Sequence, residues 1–281
     1  HLSLRLQRQM CIRDRNAVKY LNERDQENGD VLVFLPVEKE IIDTRSYLIE
    51  KAGKDIDILV LYGRLPSHQQ ARIFKPGHRR RIILSTNVAE TSLTVPRVAH
   101  VIDTGLARVS RYSVTRKLQL LPVEKISRDK ADQRRGRCGR ERLGICVRLY
   151  SEIDYLKRPT ETEPEIFRTN LADVILRVLA MGYKSVNSFP FPENPSRRLI
   201  KDGLNILWEI GAIDLKQQIR SVGYQIRKFP IDPRLARVLL EASHRGCLKE
   251  ILRIVAALSI NDPRERASAF REHADREPVS Y

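Results

Sequence analysis

Residues 81–86 read Arg-Ile-Ile-Leu-Ser-Thr, a nearly continuous apolar run that ends in two hydroxyl side chains. Four similar runs occupy residues 31–36, 56–63, 98–103 and 145–150. Such runs are typical of strands that are buried on both faces of a parallel sheet. Helical candidates lie between them, at residues 37–52, 66–74, 88–93 and about 128–140. The alternation predicts an α/β domain whose ligand edge lies at the carboxyl ends of its strands.

One interval, residues 107–126, does not follow this alternation. It is too long for a plain loop, and strand-like residues flank Thr115, Arg116 and Lys117 on both sides. We therefore predict a β-hairpin that projects from the domain, with an irregular surface loop as the alternative.

The sequence becomes helical after residue 158. An apolar stripe over residues 164–181 ends at Gly182, a common signal for the end of a helix. A second amphipathic helix is predicted over residues 196–210, and residues 219–229 are strand-like around Gly223. Two helices followed by a short β element outline a winged-helix module. Two further helices are predicted over residues 233–245 and 248–260.

The charge of the chain is strongly positive. Its 281 residues include 51 Lys and Arg against 35 Asp and Glu, which gives a formal net charge of +16. This surplus attracts polyanions, of which nucleic acid comes first. Ribosome binding or solubility alone would also account for it. No apolar run approaches the roughly 18 residues needed to span a bilayer.

The cysteines and the N-terminal residues carry little functional signal. The four cysteines form no CxxC pair and have no histidine at metal-ligand spacing. A disulfide framework and a zinc site are therefore not expected, and a cytoplasmic location fits. Residues 1–15 contain four arginines and no long apolar core, so they do not resemble a secretory signal. We interpret them as a non-native leader, with a transit peptide as the alternative.

The segment Gln-Arg-Arg-Gly-Arg-Cys-Gly-Arg at residues 133–140 is the strongest candidate for an anion site. On a helix, Gln133, Arg137 and Arg140 would lie within an arc of about 60°. Grouped guanidinium groups repel one another unless an anion lies between them, and their planar fork suits phosphate oxygens. A solvated basic face is the alternative.

The segment after residue 86, Asn-Val-Ala-Glu-Thr-Ser-Leu-Thr, follows a predicted buried strand and opens a predicted helix. Asn87 and Glu90 have nearly the offset of a capping box, which would leave backbone N–H groups facing an anion. The hydroxyls of Thr86, Ser92 and Thr94 can contact phosphate or ribose. Taken alone, this segment indicates no more than a capped turn.

Together the two segments resemble motifs V and VI of superfamily 2 helicases, in the form found in DEAH-box RNA helicases of the bacterial HrpA type. Residues 29–41 resemble motif IV, and residues 61–74 are similar to the segment that follows it. The resemblance covers residues 19–275 and matches the order of the motifs as well as their content. It implies an ATP-dependent, 3′-to-5′ RNA helicase that couples nucleotide hydrolysis to translocation on single-stranded RNA.

The resemblance also implies roles for individual residues. Arg137 and Arg140 would be arginine fingers for the γ-phosphate, with Gln133 near the same oxygens or the attacking water. Phe74 would stack on the nucleobase, while Ser92 and Thr94 line the nucleotide side of motif V. Residues implied to contact RNA are Thr86, the backbone around Arg64 and Leu65, and Arg116 in the hairpin. No metal ligand is expected among the residues of this chain.

Two departures from the family pattern qualify this expectation. Pro96 stands where many relatives have an Asp that holds the ribose. The sequence contains neither the GxxxxGK[ST] phosphate loop nor a DEAH tetrad. The residues that bind the β- and γ-phosphates and Mg²⁺ would belong to a first RecA-like domain outside this sequence. The C-terminal OB-fold of the family would also lie outside it. We therefore expect this segment to be inactive as an ATPase by itself.

The expected organisation is a leader at residues 1–15, a second RecA-like domain at 16–158, a winged helix at 159–229 and the start of a helical ratchet at 230–281. Expected partners are single-stranded RNA and the first RecA-like domain, with messenger RNA or the ribosome as further candidates. Two other functions stay open: a non-catalytic winged-helix protein that binds nucleic acid, and a superfamily 2 DNA helicase.

Overall fold

A computed structural model describes residues 16–18, 21, 29–51, 56–75, 78–91, 95–140 and 143–260. These residues belong to two compact units. Unit 1 contains the residues up to Val109 together with Leu121–Thr162, and unit 2 contains Ser110–Leu120 and the residues from Glu163 onward. No helix within the described ranges is long and apolar enough to cross a membrane.

Unit 1 is built on a five-stranded parallel sheet with the order β2-β3-β1-β4-β9. Its strands are β1 (Asp30–Phe34), β2 (Ile56–Leu61), β3 (Arg80–Ser85), β4 (Val98–Asp103) and β9 (Cys146–Arg148). Every residue of β1, β3 and β4 is buried. The predicted strands and the parallel α/β architecture are therefore confirmed.

The helices of unit 1 are α1 (Glu38–Lys51), α2 (Ser67–Gln70), α3 (Arg128–Arg135) and α4 (Glu152–Leu156), with 3-10 turns at Ala71–Phe74 and Asn87–Ala89. The side chains of β1 alternate between the two faces of the sheet. Val31 and Val33 pack with Ile41 of α1 on one face. Leu32 and Phe34 pack on the other, which we call the Phe34 face.

The hairpin after β4 has two separately paired parts. Strands β5 (Leu106–Arg108) and β8 (Val123–Lys125) pair in unit 1, whereas β6 (Arg111–Ser113) and β7 (Leu118–Leu120) pair in unit 2. The predicted hairpin is confirmed, but its outer part does not simply project. Because that part belongs to the compact unit 2, its conformation depends on the helices there.

Unit 2 is helical and contains α5 (Ala172–Ala180), α6 (Arg197–Glu209), α7 (Ser221–Ile226), α8 (Pro233–His244) and α9 (Leu248–Ser259), with 3-10 turns at Glu165–Phe167 and Val186–Ser188. Gly182 and Gly211, which follow α5 and α6, have φ angles of 93° and 72°. Both glycines therefore end their helices as predicted, since the left-handed conformation is costly for other residues.

Two predictions for unit 2 are wrong. Residues 219–229 do not form a strand; they contain helix α7, and the β structure here is a single bridge between Ile213 and Ile219. Val222, Ile226 and Phe229 follow helical spacing and all pack in the core of unit 2. Helix α5 begins at Ala172 instead of residue 164, because the Asn170 side chain accepts a hydrogen bond from the Ala172 N–H at 2.8 Å.

Two predictions for unit 1 are also wrong. The helix predicted over residues 88–93 is only the three-residue 3-10 turn Asn87–Ala89 where it is described, and residues 92–94 lie outside the described ranges. Helix α3 ends at Arg135 instead of residue 140. The helix ends in a tighter turn, in which the N–H groups of Arg137 and Cys138 donate to the carbonyls of the residues three positions earlier. Gly139 follows with a φ of 73°.

The tip of the hairpin is fixed by a buried carboxylate. Asp202 of α6 is 4% exposed and accepts a hydrogen bond from the Tyr112 hydroxyl at 2.8 Å. Its other oxygen bonds the Lys117 ammonium. Burial, followed by the hydrogen bond to Asp202, raises the pKa of Tyr112 to about 12. The Tyr112 hydroxyl therefore stays protonated and donates at neutral pH.

Replacing Asp202 with Asn is expected to lower the free energy of unfolding of unit 2 by about 1–2 kcal/mol, because two hydrogen bonds to a charged acceptor weaken. Fluorescence of Trp208, the single tryptophan, reports this unit during urea unfolding. The control is Asp173→Asn, since Asp173 makes an exposed pair with Arg177. Equal small effects of both variants would show that Asp202 does not hold the hairpin.

Candidate functional site

Three of the predicted site segments rest on the Phe34 face of the sheet. Ile73, which precedes Phe74, and Ala89, which follows Thr86, are both part of the buried cluster on this face. Cys138, which lies between Arg137 and Arg140, packs against the same cluster. Segments that are far apart in the sequence thus pack on the same face of the sheet.

Arg134 joins two of these segments. This side chain of α3 is fully buried, and its Nε and Nη2 atoms donate to Glu90 Oε1 at 2.8 and 2.6 Å. Its Nη1 donates to Asp103 Oδ1 at 2.7 Å, and its guanidinium lies 4.7 Å from the centre of the Phe34 ring. Arg134 therefore ties α3 both to the segment after β3 and to the end of β4.

Glu90 consequently does not have the predicted role of a capping residue. No side chain caps the turn Asn87–Ala89, and the Glu90 carboxylate is turned into the interior, where it pairs with Arg134. A buried carboxylate without a cation costs more free energy than a helical turn without a side-chain cap. The sequence offered only a weak signal for this pair, since Arg134 lies one position off the helix face that we selected.

Asp103 is the second carboxylate of this cluster. It accepts hydrogen bonds from the Gly105 N–H at 2.8 Å and from the Tyr150 hydroxyl at 2.7 Å, in addition to Arg134. Burial, followed by the charge of Asp103, raises the pKa of Tyr150 well above its ordinary value. Tyr150 therefore remains a donor at every physiological pH, and the Asp103 carboxylate is fully hydrogen-bonded.

Arg137 and Arg140 lie on the turn that follows α3. Burial, and then the positive charge of Arg140, lower the pKa of Arg137, while Glu90 opposes this shift. Arg140 is exposed, and its Nε donates to the Gly136 carbonyl at 3.1 Å. Arg137 and Arg140 thus lie on one turn, close enough for the charge of Arg140 to affect Arg137, and not on the helix that was predicted to group them. An anion between them would relieve their repulsion.

The remaining residues predicted for the nucleotide have different surroundings. Gln133 lies on the last turn of α3, where its Oε1 accepts a hydrogen bond from Lys130 at 3.1 Å. The Phe74 ring is 40% exposed at the end of its 3-10 turn and is available for stacking. Ser92 and Thr94 lie outside the described residues.

Residues predicted to contact RNA follow β2 and β3. The Thr86 N–H donates to the Leu61 carbonyl at 3.1 Å, so the two strand ends are adjacent. Leu65 is buried, and its backbone N–H and carbonyl bond to Tyr62 and Gln70. Arg64 is exposed and presents its side chain to solvent.

Arg116 belongs to unit 2, in the exposed turn between β6 and β7. Its backbone N–H donates to the Ser113 hydroxyl at 3.3 Å. The neighbouring Lys117 forms an ion pair with Asp202, so the backbone of the turn that carries Arg116 is held in place. Among the described residues, no group of His, Cys, Asp and Glu could hold a metal ion.

Comparison with known proteins gives a consistent result. Residues 14–142 match the helicase conserved C-terminal domain, and residues 232–278 match the ratchet-like helicase associated domain, HA2. The chain is 49% identical to the ATP-dependent RNA helicase HrpA of Escherichia coli over 261 residues, which cover 91% of this chain and 20% of that protein. It is 36% identical to the probable ATP-dependent RNA helicase DHX35 of Homo sapiens, over 88% of this chain and 37% of that protein.

The fold comparison agrees with the sequence comparison. A crystal structure of the E. coli DExH-box NTPase HrpB superposes with a TM-score of 0.80 at 25% identity, over 94% of this chain and 32% of that chain. The present chain thus spans about a fifth of the bacterial HrpA relative and about a third of the structural neighbour.

Proposed function

This chain belongs to the DEAH-box helicase family, with the HrpA-type proteins among its relatives, and we propose that it forms the second half of the motor of an ATP-dependent RNA helicase. The complete protein would hydrolyse a nucleoside triphosphate and move 3′ to 5′ along single-stranded RNA. A first RecA-like domain would supply the phosphate loop and hold Mg²⁺, because the sequence contains neither the GxxxxGK[ST] loop nor the DEAH tetrad.

The turn that carries Arg137 and Arg140 is the observation on which the proposal rests. Two positively charged side chains lie on this turn, and the buried Arg134 anchors the helix that precedes it, so the turn favours the binding of negative charge. Charge accumulates on the transferred phosphoryl group during hydrolysis, and arginines stabilise that charge. We assign Arg137 and Arg140 this role, and we assign Gln133 to the same oxygens or to the attacking water.

Phe74 would contact the base of the nucleotide. Its exposed ring can stack on any base, which suits a motor with little nucleotide preference. Ser92 and Thr94 would line the same site through their hydroxyls. Pro96 cannot donate or accept through a side chain, so a ribose contact would have to come from elsewhere.

Thr86, the backbone at Arg64 and Leu65, and Arg116 would contact RNA phosphates. Such contacts are independent of base sequence, as translocation requires. We assign residues 16–158 to the second RecA-like domain, 159–229 to a winged helix and 230–281 to the start of a ratchet domain. Messenger RNA and the ribosome are candidate targets, and the described cysteines, which are free thiols, suit a cytoplasmic protein.

The proposal is tested on the complete helicase that contains this segment. ATP hydrolysis should be stimulated by single-stranded RNA and not by DNA, and a duplex with a 3′ RNA overhang should be unwound in preference to one with a 5′ overhang. Equal stimulation by DNA would favour the DNA helicase instead. RNA binding without hydrolysis under any condition would favour the non-catalytic binder.

Phe74→Ala in that protein is expected to raise the KM for ATP roughly tenfold or more, since stacking on a base contributes about 1–3 kcal/mol. The kcat at saturating ATP should change little, because the base does not take part in the chemical step. Arg72→Ala, an exposed neighbour on the same turn, is the matched control. An unchanged KM for Phe74→Ala would show that Phe74 does not contact the base of the nucleotide.

A further inference from the structure

A buried arginine on β3 contacts the backbone on both sides of Phe74. Arg81 is 2% exposed, and its Nη1 donates to the carbonyls of Ile73 and Lys75 at 2.8 and 3.0 Å. These are the two residues that flank Phe74. The guanidinium therefore fixes the peptide units that determine where the Phe74 ring is placed.

The same guanidinium holds a second segment. Its Nη2 donates to the Pro96 carbonyl at 2.7 Å, at the end of the stretch that carries Ser92 and Thr94 in the sequence. One planar group thus connects the backbone on both sides of Phe74 to the Pro96 carbonyl.

Arg81 is itself held in a single orientation. Its Nε and Nη2 bond Asp30 Oδ2 at 2.7 and 2.6 Å, and its backbone N–H bonds Asp30 Oδ1 at 2.8 Å. Asp30 is fully buried at the start of β1. All the donors of the guanidinium are directed at named acceptors, an arrangement that the three donors of a lysine ammonium cannot reproduce.

We propose that Arg81 is a positioning residue for the nucleotide site, acting by fixing the backbone on both sides of Phe74. Because its guanidinium is engaged with Asp30 and with backbone carbonyls, Arg81 would act through Phe74 and not on the nucleotide itself. It reduces the number of conformations that the Phe74 turn can adopt, so that stacking on the base costs less ordering. The inference rests on the proposed function, which assigns Phe74 to the base.

The test uses Arg81→Lys in the complete helicase, because the lysine retains the charge opposite Asp30 while it loses the fork. The KM for ATP should rise roughly tenfold, the range of one stacking contact, with kcat within a factor of about three. The affinity for inorganic tripolyphosphate, which has no base, should stay unchanged. Arg79→Lys, at an exposed position two residues earlier, should change none of these values.

A double-mutant cycle separates positioning from general loss of structure. In the Phe74→Ala background, Arg81→Lys should raise the KM by less than a factor of about two, because the ring on which Arg81 acts is absent. Additive effects, or equal losses for ATP and tripolyphosphate, would overturn the inference. If Phe74→Ala alone leaves the KM unchanged, the assignment of Phe74 to the base and this inference both fail. If only Arg81→Lys is silent, the inference fails alone.

A neutral pair provides the second variant in case the lysine destabilises the protein. Asp30→Asn combined with Arg81→Gln replaces the buried ion pair by two amides, while the partly exposed Arg97, 3.8 Å from Asp30, stays solvated. The glutamine amide can reach only part of the acceptor set. The same rise in the KM for ATP, with unchanged tripolyphosphate affinity and RNA affinity, is expected. A normal KM in this variant would contradict a positioning role for Arg81.

Discussion

Arg134→Ala is expected to lower the free energy of unfolding of unit 1 by about 3–5 kcal/mol, since it leaves buried carboxylates without their cation. Arg134 is fully buried between Glu90 and Asp103, at distances of 2.6 and 2.7 Å. The alanine also leaves a cavity against the Phe34 ring. A loss of this size is a large share of the stability of a typical domain.

Urea unfolding followed by far-UV circular dichroism measures this loss. Trp208 fluorescence provides an internal reference, because this residue lies in unit 2 and should report little change. The matched control is Arg135→Ala, whose side chain is 62% exposed and lies 3.6 Å from Asp132. Such an exposed pair contributes at most about 1 kcal/mol. If Arg134→Ala costs no more than this control, the buried cluster does not support α3.

Arg140→Ala in the complete helicase is expected to lower kcat for ATP hydrolysis by about 10³-fold or more, the range known for arginines that stabilise phosphoryl transfer. Arg140 is exposed, and its Nε donates to the Gly136 carbonyl of its own turn. Its removal should therefore leave the free energy of unfolding almost unchanged. The affinity for single-stranded RNA should stay within a factor of about three.

Single-turnover ATP hydrolysis at saturating RNA measures the rate of the chemical step. RNA titration at equal salt measures the affinity for RNA separately. Arg140→Lys should recover only part of the rate, because an ammonium retains the charge without the bidentate geometry. Arg135→Ala, on the preceding turn, should hydrolyse ATP at close to the normal rate. Weakened RNA binding with a normal kcat would give Arg140 an electrostatic role toward RNA instead.

Local patterns predicted the sheet well and the ends of the helices poorly. The central strands β1, β3 and β4 follow from runs that are apolar at nearly every position, since both of their faces are buried, and the half-buried edge strands β2 and β9 follow from similar runs. Helix α3 ended five residues early because Gly139 adopts a left-handed φ of 73° that would not continue the helix, and spacing alone does not show this. Residues 219–229 were misread because Gly223 lowers the helical signal of a segment whose apolar residues follow helical spacing.

The sequence by itself determined the family, the parallel α/β sheet, the hairpin and the grouping of arginines near residue 140. These features depend on residue type and short-range spacing, which are visible without coordinates. The tertiary structure alone decided that Arg134 and Arg81 are internal anchors, because their carboxylate partners lie 44 and 51 residues away. It also decided that the hairpin tip belongs with the helices of unit 2. A buried charge is stable only when it is paired with an opposite charge. The order of the strands in the sheet determines which carboxylate lies near each of these two arginines.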